Sequence, residues 1–312
     1  MVSAALLILV SVGCLIAMEL LHRAKWPSRG PYTAVIAWQA LGLAWGVSTI
    51  GALLAFGLSS YQLGAAAGLM ALAEDIVTGN LIISELSQGA EGISHIAAVV
   101  LAVVLTLVLF CGLVSSFVHV IRVRRRHYDL LQLVSSDHPD VPGARVVDHP
   151  AAAAYCLPGV LRSQVVISAG ALAVLDNREL AAVLAHEQAH LRERHDLVLL
   201  PFSSLKRAFP RVRLVRTYYE TVALLIEMCA DDQARRKSTS RELAMALLRF
   251  GAAGPAPVPA GALAAVAEPG VVLRVNRLLH PHEELSYHAG AVVMGASAFL
   301  LAAVTCLWHI PI

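Results

Sequence analysis

Four long apolar stretches constrain the fold of this chain more than any other feature of its sequence. Each is close to or longer than the roughly 20 residues that a helix needs to cross a bilayer. They cover about residues 3–21, 33–58, 93–121 and 289–307. Only 15% of the residues are charged, whereas soluble domains carry about 25%. The sequence therefore predicts a mainly α-helical membrane protein with four transmembrane helices.

The first apolar stretch is expected to be a retained membrane anchor. Its leader, MVSAALLILV, contains no Lys or Arg, and the positive residues Arg23, Lys25 and Arg29 follow the apolar run. A cleaved signal peptide has the opposite order, with its positive charge before the apolar core.

The basic residues that flank the apolar stretches predict the orientation. The first loop contains three basic residues, the loop 59–92 contains none, and Arg122, Arg124, Arg125 and Arg126 follow the third stretch. Because basic loops stay in the cytoplasm, both termini are expected outside the plasma membrane. The predicted division is residues 1–121 with three transmembrane helices, 122–287 as a cytoplasmic domain, and 288–312 with the fourth helix and a short tail.

The segment 122–287 is long enough for one domain with its own core. Ala151–Ser168 has the pattern of two short strands around Pro158–Gly159, and a short helix is expected around Tyr128–Val134. Three capping-box spacings predict helix starts, at Asp176–Glu179, Thr217–Glu220 and Thr239–Glu242. Residues 251–270 are rich in Pro, Ala and Gly and are predicted to form a loop. The domain is therefore expected to be mainly helical with a small β edge.

Within VLAHEQAHLRERHD, His186 and His190 are four residues apart on the predicted helix that Asp176 opens. This spacing places both imidazoles on one helix face, where they can bind one Zn²⁺. Glu187 would then lie beside the metal and exchange protons with a water molecule. The alternative interpretation is an ordinary solvated helix face.

A zinc peptidase needs a third protein ligand, for which the sequence offers two patterns. In the extended metzincin pattern the relevant positions are Glu193 and Asp196, and we reject it because the required Gly is missing. Glu227 and Asp231, four residues apart on a later helix, form the favoured pattern: one acid binds zinc and the other orients a zinc-bound His. The alternative is an acidic helix end that pairs with Arg235 and Arg236.

Two basic segments each leave two interpretations open. FSSLKRAFPRVRLVR, residues 202–216, is either attracted to anionic lipids or an ordinary solvated connector. RVNRLL contains Arg274 and Arg277, which are either ion-pair anchors or substrate contacts.

The segment VVISAGALAVLDNRELAAVLAHEQAHLRERHDLV, with the later Glu227–Asp231 pattern and the order of apolar stretches, resembles the BlaR/MecR-type membrane metallopeptidases. More distantly, the chain is similar to the HtpX and CAAX-processing peptidases. The resemblance implies a zincin-like gluzincin fold with one Zn²⁺ bound by His186, His190 and Glu227. It also implies Glu187 as the catalytic acid and base, and Asp231 as the group that orients a ligand. By analogy, the strand with Ala154, Tyr155 and Cys156 would hold the substrate by edge pairing.

The sequence departs from this family at two places. No penicillin-binding sensor follows the last apolar stretch, so direct sensing of β-lactams is not expected. Many relatives have an Asp five residues after the second His, whereas this chain has His195 there and Asp196 next. The group that contacts His190 from this side is therefore left open.

The expected function is a membrane-anchored zinc endopeptidase that cleaves a protein at the cytoplasmic face. The resemblance implies a winged-helix repressor as the substrate and hence a role in signalling. One alternative is a quality-control protease similar to HtpX, and another is a non-catalytic scaffold or receptor that retains a zinc-binding fold. The expected partners are the protein substrate and the lipid bilayer, with no direct binding of nucleic acid.

Overall fold

The chain forms two compact units in its computed structural model. One unit contains residues 1–111 and 285–312, and the other contains residues 112–284. The structure describes residues 2–79, 89–137, 144–159, 163–253, 263–264, 270–280 and 283–310.

The first unit consists of apolar helices. They are α1 (Val2–Arg23), α2 (Pro31–Gly57), α3 (Ala65–Thr78), the first half of α4 (Gly89–Val134) and α11 (Tyr287–Leu307). Both α1 and α11 pack against α2. At Gly51 the helices approach so closely that a Cβ would lie 2.4 Å from Trp308 Nε1. Among the described residues, four helices are long and apolar enough to cross a membrane, as the sequence predicted, and they support a multi-pass membrane protein.

Two helical features of the structure differ from the sequence prediction. The short helix expected around Tyr128–Val134 is not separate, because α4 continues without interruption from Gly89 to Val134. Between residues 113 and 134 no Gly or Pro interrupts the helix. The predicted loop 59–92 contains α3, whose Ala- and Leu-rich sequence has high helix propensity.

The second unit contains a five-stranded sheet in the order β1-β2-β4-β3-β5. The strands are β1 (Ser135–Asp137), β2 (Ala144–Val147), β3 (Ala154–Leu157), β4 (Gln164–Ser168) and β5 (Leu263–Ala264). The antiparallel pair β3 and β4 is the predicted strand pair around Pro158–Gly159. On its other edge β3 pairs with β5, with Tyr155 opposite Ala264 and Cys156 opposite Leu263. Strands β1, β2 and β5 were not predicted.

The described part of the second unit also contains the second half of α4 and six further helices. They are α5 (Ala169–Val174), α6 (Asn177–Arg192), α7 (His195–Ala208), α8 (Arg213–Ala234), α9 (Ser240–Ala253) and α10 (Val271–Leu279). Helix α6 contacts β3 and β4 on one side and α8 and α9 on the other. Ile167, Val183 and Phe250 are buried in the core between the sheet and these helices. The helix with the predicted metal ligands is therefore central to the unit.

Two of the three predicted capping boxes are confirmed. The Asp176 side chain accepts hydrogen bonds from the backbone of Arg178 and Glu179, and the Glu179 side chain accepts one from Asp176 N. Thr239 and Glu242 form the same reciprocal pair at the start of α9. The prediction at Thr217 is wrong, because α8 begins at Arg213 and Thr217 lies within it. The residues Arg213–Arg216 contain no helix breaker, so the helix starts a turn earlier than the cap pattern indicated.

The Pro- and Gly-rich stretch 251–270 is only partly described. Residues 251–253 are the last residues of α9, residues 263–264 form β5, and Gly270 directly precedes α10. The remaining residues of the predicted loop lie outside the described part of the chain.

Gly170 offers a test of the packing between α5 and the segment that joins β2 to β3. A Cβ on Gly170 would lie 2.0 Å from the carbonyl oxygen of Pro150. We expect Gly170→Ala to lower the free energy of unfolding by about 1–3 kcal/mol, because the backbone must move. A Cβ on Gly251, in α9, would contact nothing within 4 Å. Gly251→Ala is therefore the matched control and should be neutral or slightly stabilising. Thermal unfolding in one detergent compares the two, and equal stability would contradict the close approach.

Candidate metal centre

The two histidines of α6 meet at their Nε2 atoms. Because they are one turn apart, His186 and His190 project from the same face, and their Nε2 atoms lie 3.1 Å apart. Both rings are almost completely buried, and their centroids are 4.8 Å apart. Two nitrogen lone pairs directed at one point are the arrangement that a metal ion requires.

Helix α8 brings a carboxylate to the same point. The Oε2 atom of Glu227 is 3.4 Å from His186 Nε2, and its Oε1 atom is 3.5 Å from His190 Nε2. One ligand atom of each of the three residues lies within 4.8 Å of the others. Among the described residues this group meets the spacing of a metal site, and it consists of the three ligands expected from the sequence.

Asp231, one turn after Glu227, lies behind His186. Its Oδ1 atom is 3.0 Å from His186 Nδ1, the ring nitrogen that does not face His190. Asp231 is fully buried. A carboxylate in this position fixes the ring orientation and leaves Nε2 available as a ligand.

Arg274 of α10 holds the two acids of α8 together. Its guanidinium donates to both carboxylate oxygens of Asp231, at 2.8 and 2.7 Å, and its Nη1 atom is 2.9 Å from Glu227 Oε2. Only 2% of Arg274 is exposed. Of the two interpretations left open for Arg274, the structure shows the ion-pair anchor. Arg277, one turn later, forms a two-hydrogen-bond pair with Asp232 instead.

Burial and the neighbouring charges shift the pKa values of the histidines and acids of the site. Burial opposes protonation of His186, but Asp231 and Glu227 outweigh it and raise its pKa to about 9. Burial lowers the pKa of His190 to about 3. Burial alone would raise the pKa of Glu227, yet the nearby His190 and Arg274 hold it at about 2. Arg274 likewise holds the pKa of Asp231 well below its ordinary value, against the effect of burial.

Glu187 is the acid beside this group. It is fully buried, and neither of its carboxylate oxygens has a hydrogen-bond partner of regular geometry in the described part of the chain. Burial raises its pKa to about 7, although His186 opposes this shift. A carboxyl group with such a pKa can both accept and donate a proton near neutral pH.

The charges of the site fit a divalent cation. Glu187, Glu227 and Asp231 are three buried carboxylates, and Arg274 is the cation paired directly with two of them. Without a metal, the proton that the raised pKa of His186 retains offsets one of these charges. When both imidazoles are neutral, as metal ligands must be, and the acids are ionised, two negative charges are left uncompensated in a dry interior. Buried charge of this kind is costly unless it is paired. A Zn²⁺ ion held by His186, His190 and Glu227 would fit both the ligand types and this excess of negative charge.

The three residues expected to contact substrate all lie on β3, next to α6. Ala154, Tyr155 and Cys156 are buried, and Tyr155 Oη is 3.0 Å from His127 Nε2. Burial and the charge of Glu187 raise the pKa of the Cys156 thiol far above its ordinary value. The outer edge of β3 carries β5, so a substrate strand would have to replace that pairing.

The sequence pattern did not determine the roles of two residues of the site. For Arg274 it left an ion-pair anchor and a substrate contact open, because its partners are 43 and 47 residues away in the chain. His195 lies against His190, with the two Nδ1 atoms 3.0 Å apart. The departure from the family's usual Asp was the only signal that pointed to this position.

The comparison with known families agrees with this chemistry. The model of peptidase family M48 matches residues 121–223, which include His186, Glu187 and His190 and end just before Glu227. No curated protein and no solved structure matches the chain. The family match and the four apolar helices together support a membrane-associated metallopeptidase.

Arg274 and Arg277 provide a matched pair of variants for the ion pairs of α10. Arg274→Ala would leave Asp231 buried without its cation, so we expect a loss of about 3–5 kcal/mol of unfolding free energy. Arg277→Ala removes a pair whose Asp232 is partly solvated, and should cost about 1 kcal/mol or less. Chemical unfolding of the purified variants measures both. Equal losses would show that the site does not depend on the Arg274 contacts.

Proposed function

We propose that this protein is a membrane-anchored zinc endopeptidase of the gluzincin type. The observation that carries the proposal is the meeting of His186, His190 and Glu227 around one point, directly beside the buried acid Glu187. The match to peptidase family M48 supports the same reaction class independently of this geometry.

In this proposal each polar residue of the site has one task. Bound zinc supplies Lewis acidity, which polarises a carbonyl group and makes water more acidic. Glu187 accepts the proton of the attacking water and passes it to the leaving amine, as its pKa of about 7 allows. Asp231 orients His186, and Arg274 holds Asp231 and Glu227 in place.

The substrate is proposed to be an extended segment of a protein that pairs with β3. Ala154, Tyr155 and Cys156 lie on this strand, and α6 packs directly against it. Backbone pairing at a strand edge binds many sequences, as a peptidase requires. The segment would take the place of β5, whose described residues, Leu263 and Ala264, form two pairs with β3.

We further propose that the catalytic unit lies at the cytoplasmic face of the plasma membrane, with both chain termini outside. The basic residues around the apolar helices and the absence of Lys and Arg from residues 59–92 support this orientation. A cytoplasmic winged-helix repressor is the proposed substrate in a signalling role, which rests on the resemblance to the BlaR/MecR type. Quality control of membrane proteins, similar to HtpX, is the second candidate, and a non-catalytic scaffold is the third.

Three variants of the purified full chain test the enzyme proposal. We expect Glu187→Gln to retain zinc while cleavage falls by about 10²–10⁴-fold, because the proton acceptor is lost. Glu227→Ala should lose zinc and activity together. Asp232→Asn is the matched control, since Asp232 lies on the same helix but pairs with Arg277, and it should retain both. Zinc is measured by mass spectrometry of the purified protein, and cleavage on casein and on a winged-helix repressor.

The outcomes separate the three candidates. Selective cleavage of the repressor supports signalling, whereas cleavage of unfolded casein alone supports quality control. If the wild type binds zinc but cleaves neither substrate, the scaffold is favoured. Undiminished cleavage by Glu187→Gln would contradict the proposed role of that residue.

A further inference from the structure

We propose that His195 is a positioning residue for His190 and that it acts as the middle member of a relay to Glu193. This inference rests on the proposed zinc site. His190 Nδ1 lies 3.0 Å from His195 Nδ1, and His195 Nε2 lies 3.1 Å from Glu193 Oε2. The Nε2 amide of Gln233, on α8, donates to the other oxygen of Glu193. Through Gln233, the carboxylate of Glu193 is also attached to α8, the helix that carries Glu227.

Only one order of protons satisfies this chain of contacts when His190 binds a metal. A ligating Nε2 has no proton, so the single proton of the neutral His190 ring is on Nδ1. That proton can only be donated to an unprotonated His195 Nδ1. The His195 proton is then on Nε2, from which it is donated to the Glu193 carboxylate. In this order, each of the two contacts joins one hydrogen-bond donor to one acceptor.

The turn between α6 and α7 brings His195 into contact with His190. Helix α6 ends at Arg192, and Arg194 adopts a left-handed conformation with φ of 51° before α7 starts at His195. A residue with a Cβ adopts this conformation only at a cost. The turn folds the His195 ring against His190, with centroids 4.9 Å apart and planes at 81°. Only 4% of His195 is exposed.

The neighbouring carboxylate does not replace His195. Asp196, the next residue, is directed at α4, where its Oδ2 atom accepts a hydrogen bond of 2.7 Å from Arg124. The two proposed histidine ligands are therefore oriented in different ways. Asp231 contacts His186 directly, whereas the carboxylate of Glu193 reaches His190 only through an imidazole.

Two substitutions at residue 195 distinguish a relay from simple packing. The His195→Phe side chain keeps the ring size but offers no acceptor to His190 Nδ1. The His195→Asn side chain is smaller, yet its amide oxygen can reach the position of the original Nδ1 and accept the hydrogen bond. If His195 only fills space, Phe is the better replacement. If it positions His190 through its nitrogen, Asn is the better one.

The measurement is the affinity of the metal-free full chain for Zn²⁺ in detergent, by competition with a chromophoric chelator at fixed pH. We expect His195→Phe to bind zinc about 10–100-fold more weakly than the wild type, the range seen when a partner of a metal-bound His is removed. His195→Asn should recover most of this loss. Wild-type affinity in His195→Phe, or weaker binding by Asn than by Phe, would overturn the relay.

Glu193→Gln tests the far end of the relay without changing the buried ring. It should weaken zinc binding several-fold while the metal-free protein keeps its unfolding temperature, because Glu193 is partly exposed. Unchanged affinity in this variant would also overturn the proposal. The Glu193→Gln measurement still tests the proposal if neither His195 variant can be purified in a folded form. If the wild type itself binds no zinc, the proposed function fails and not the relay alone.

Discussion

The structure of the second unit depends on the burial of three carboxylates around two imidazoles. Glu187, Glu227 and Asp231 lie in a dry interior with Arg274 as the cation paired with two of them. An interior of low polarity does not tolerate uncompensated charge, so this cluster needs a further positive group, which is either a proton on His186 or a cation between the imidazoles. The point where two Nε2 atoms and one carboxylate meet is where that charge is best placed. If a metal ion binds there, as we propose, it is expected to stabilise the unit as well.

The fold satisfies this requirement with residues that are distant in the chain. Helix α6 supplies the imidazoles and Glu187, α8 supplies the acids, and α10 supplies Arg274. The sheet supports α6 from the other side and places β3, the proposed substrate strand, beside Glu187. The family match ends within α8, before Glu227, so the complete charge balance is visible only in the folded chain.

The sequence allowed prediction of features whose physical cause is local. The capping box at Asp176 and the four-residue spacing of His186 and His190 need only one helix, and the apolar stretches need only their own composition. Contacts made by the tertiary fold were not predictable in the same way. Arg274 gains its role from α8 partners more than 40 residues away, and β5 pairs with a strand about 100 residues earlier. At Thr217 a local pattern gave a wrong prediction: the capping-box spacing indicated a helix start there, but α8 already begins at Arg213.

X-ray absorption at the zinc edge of the purified full chain can show whether two imidazoles and one carboxylate hold a zinc ion, as we propose. We expect about one zinc per chain, surrounded only by nitrogen and oxygen at about 2.0–2.2 Å. The signal should contain the outer-shell scattering of two imidazole rings. Sulfur at about 2.3 Å, which would indicate a thiolate such as Cys156, or a chain that holds no zinc after zinc addition, would contradict it.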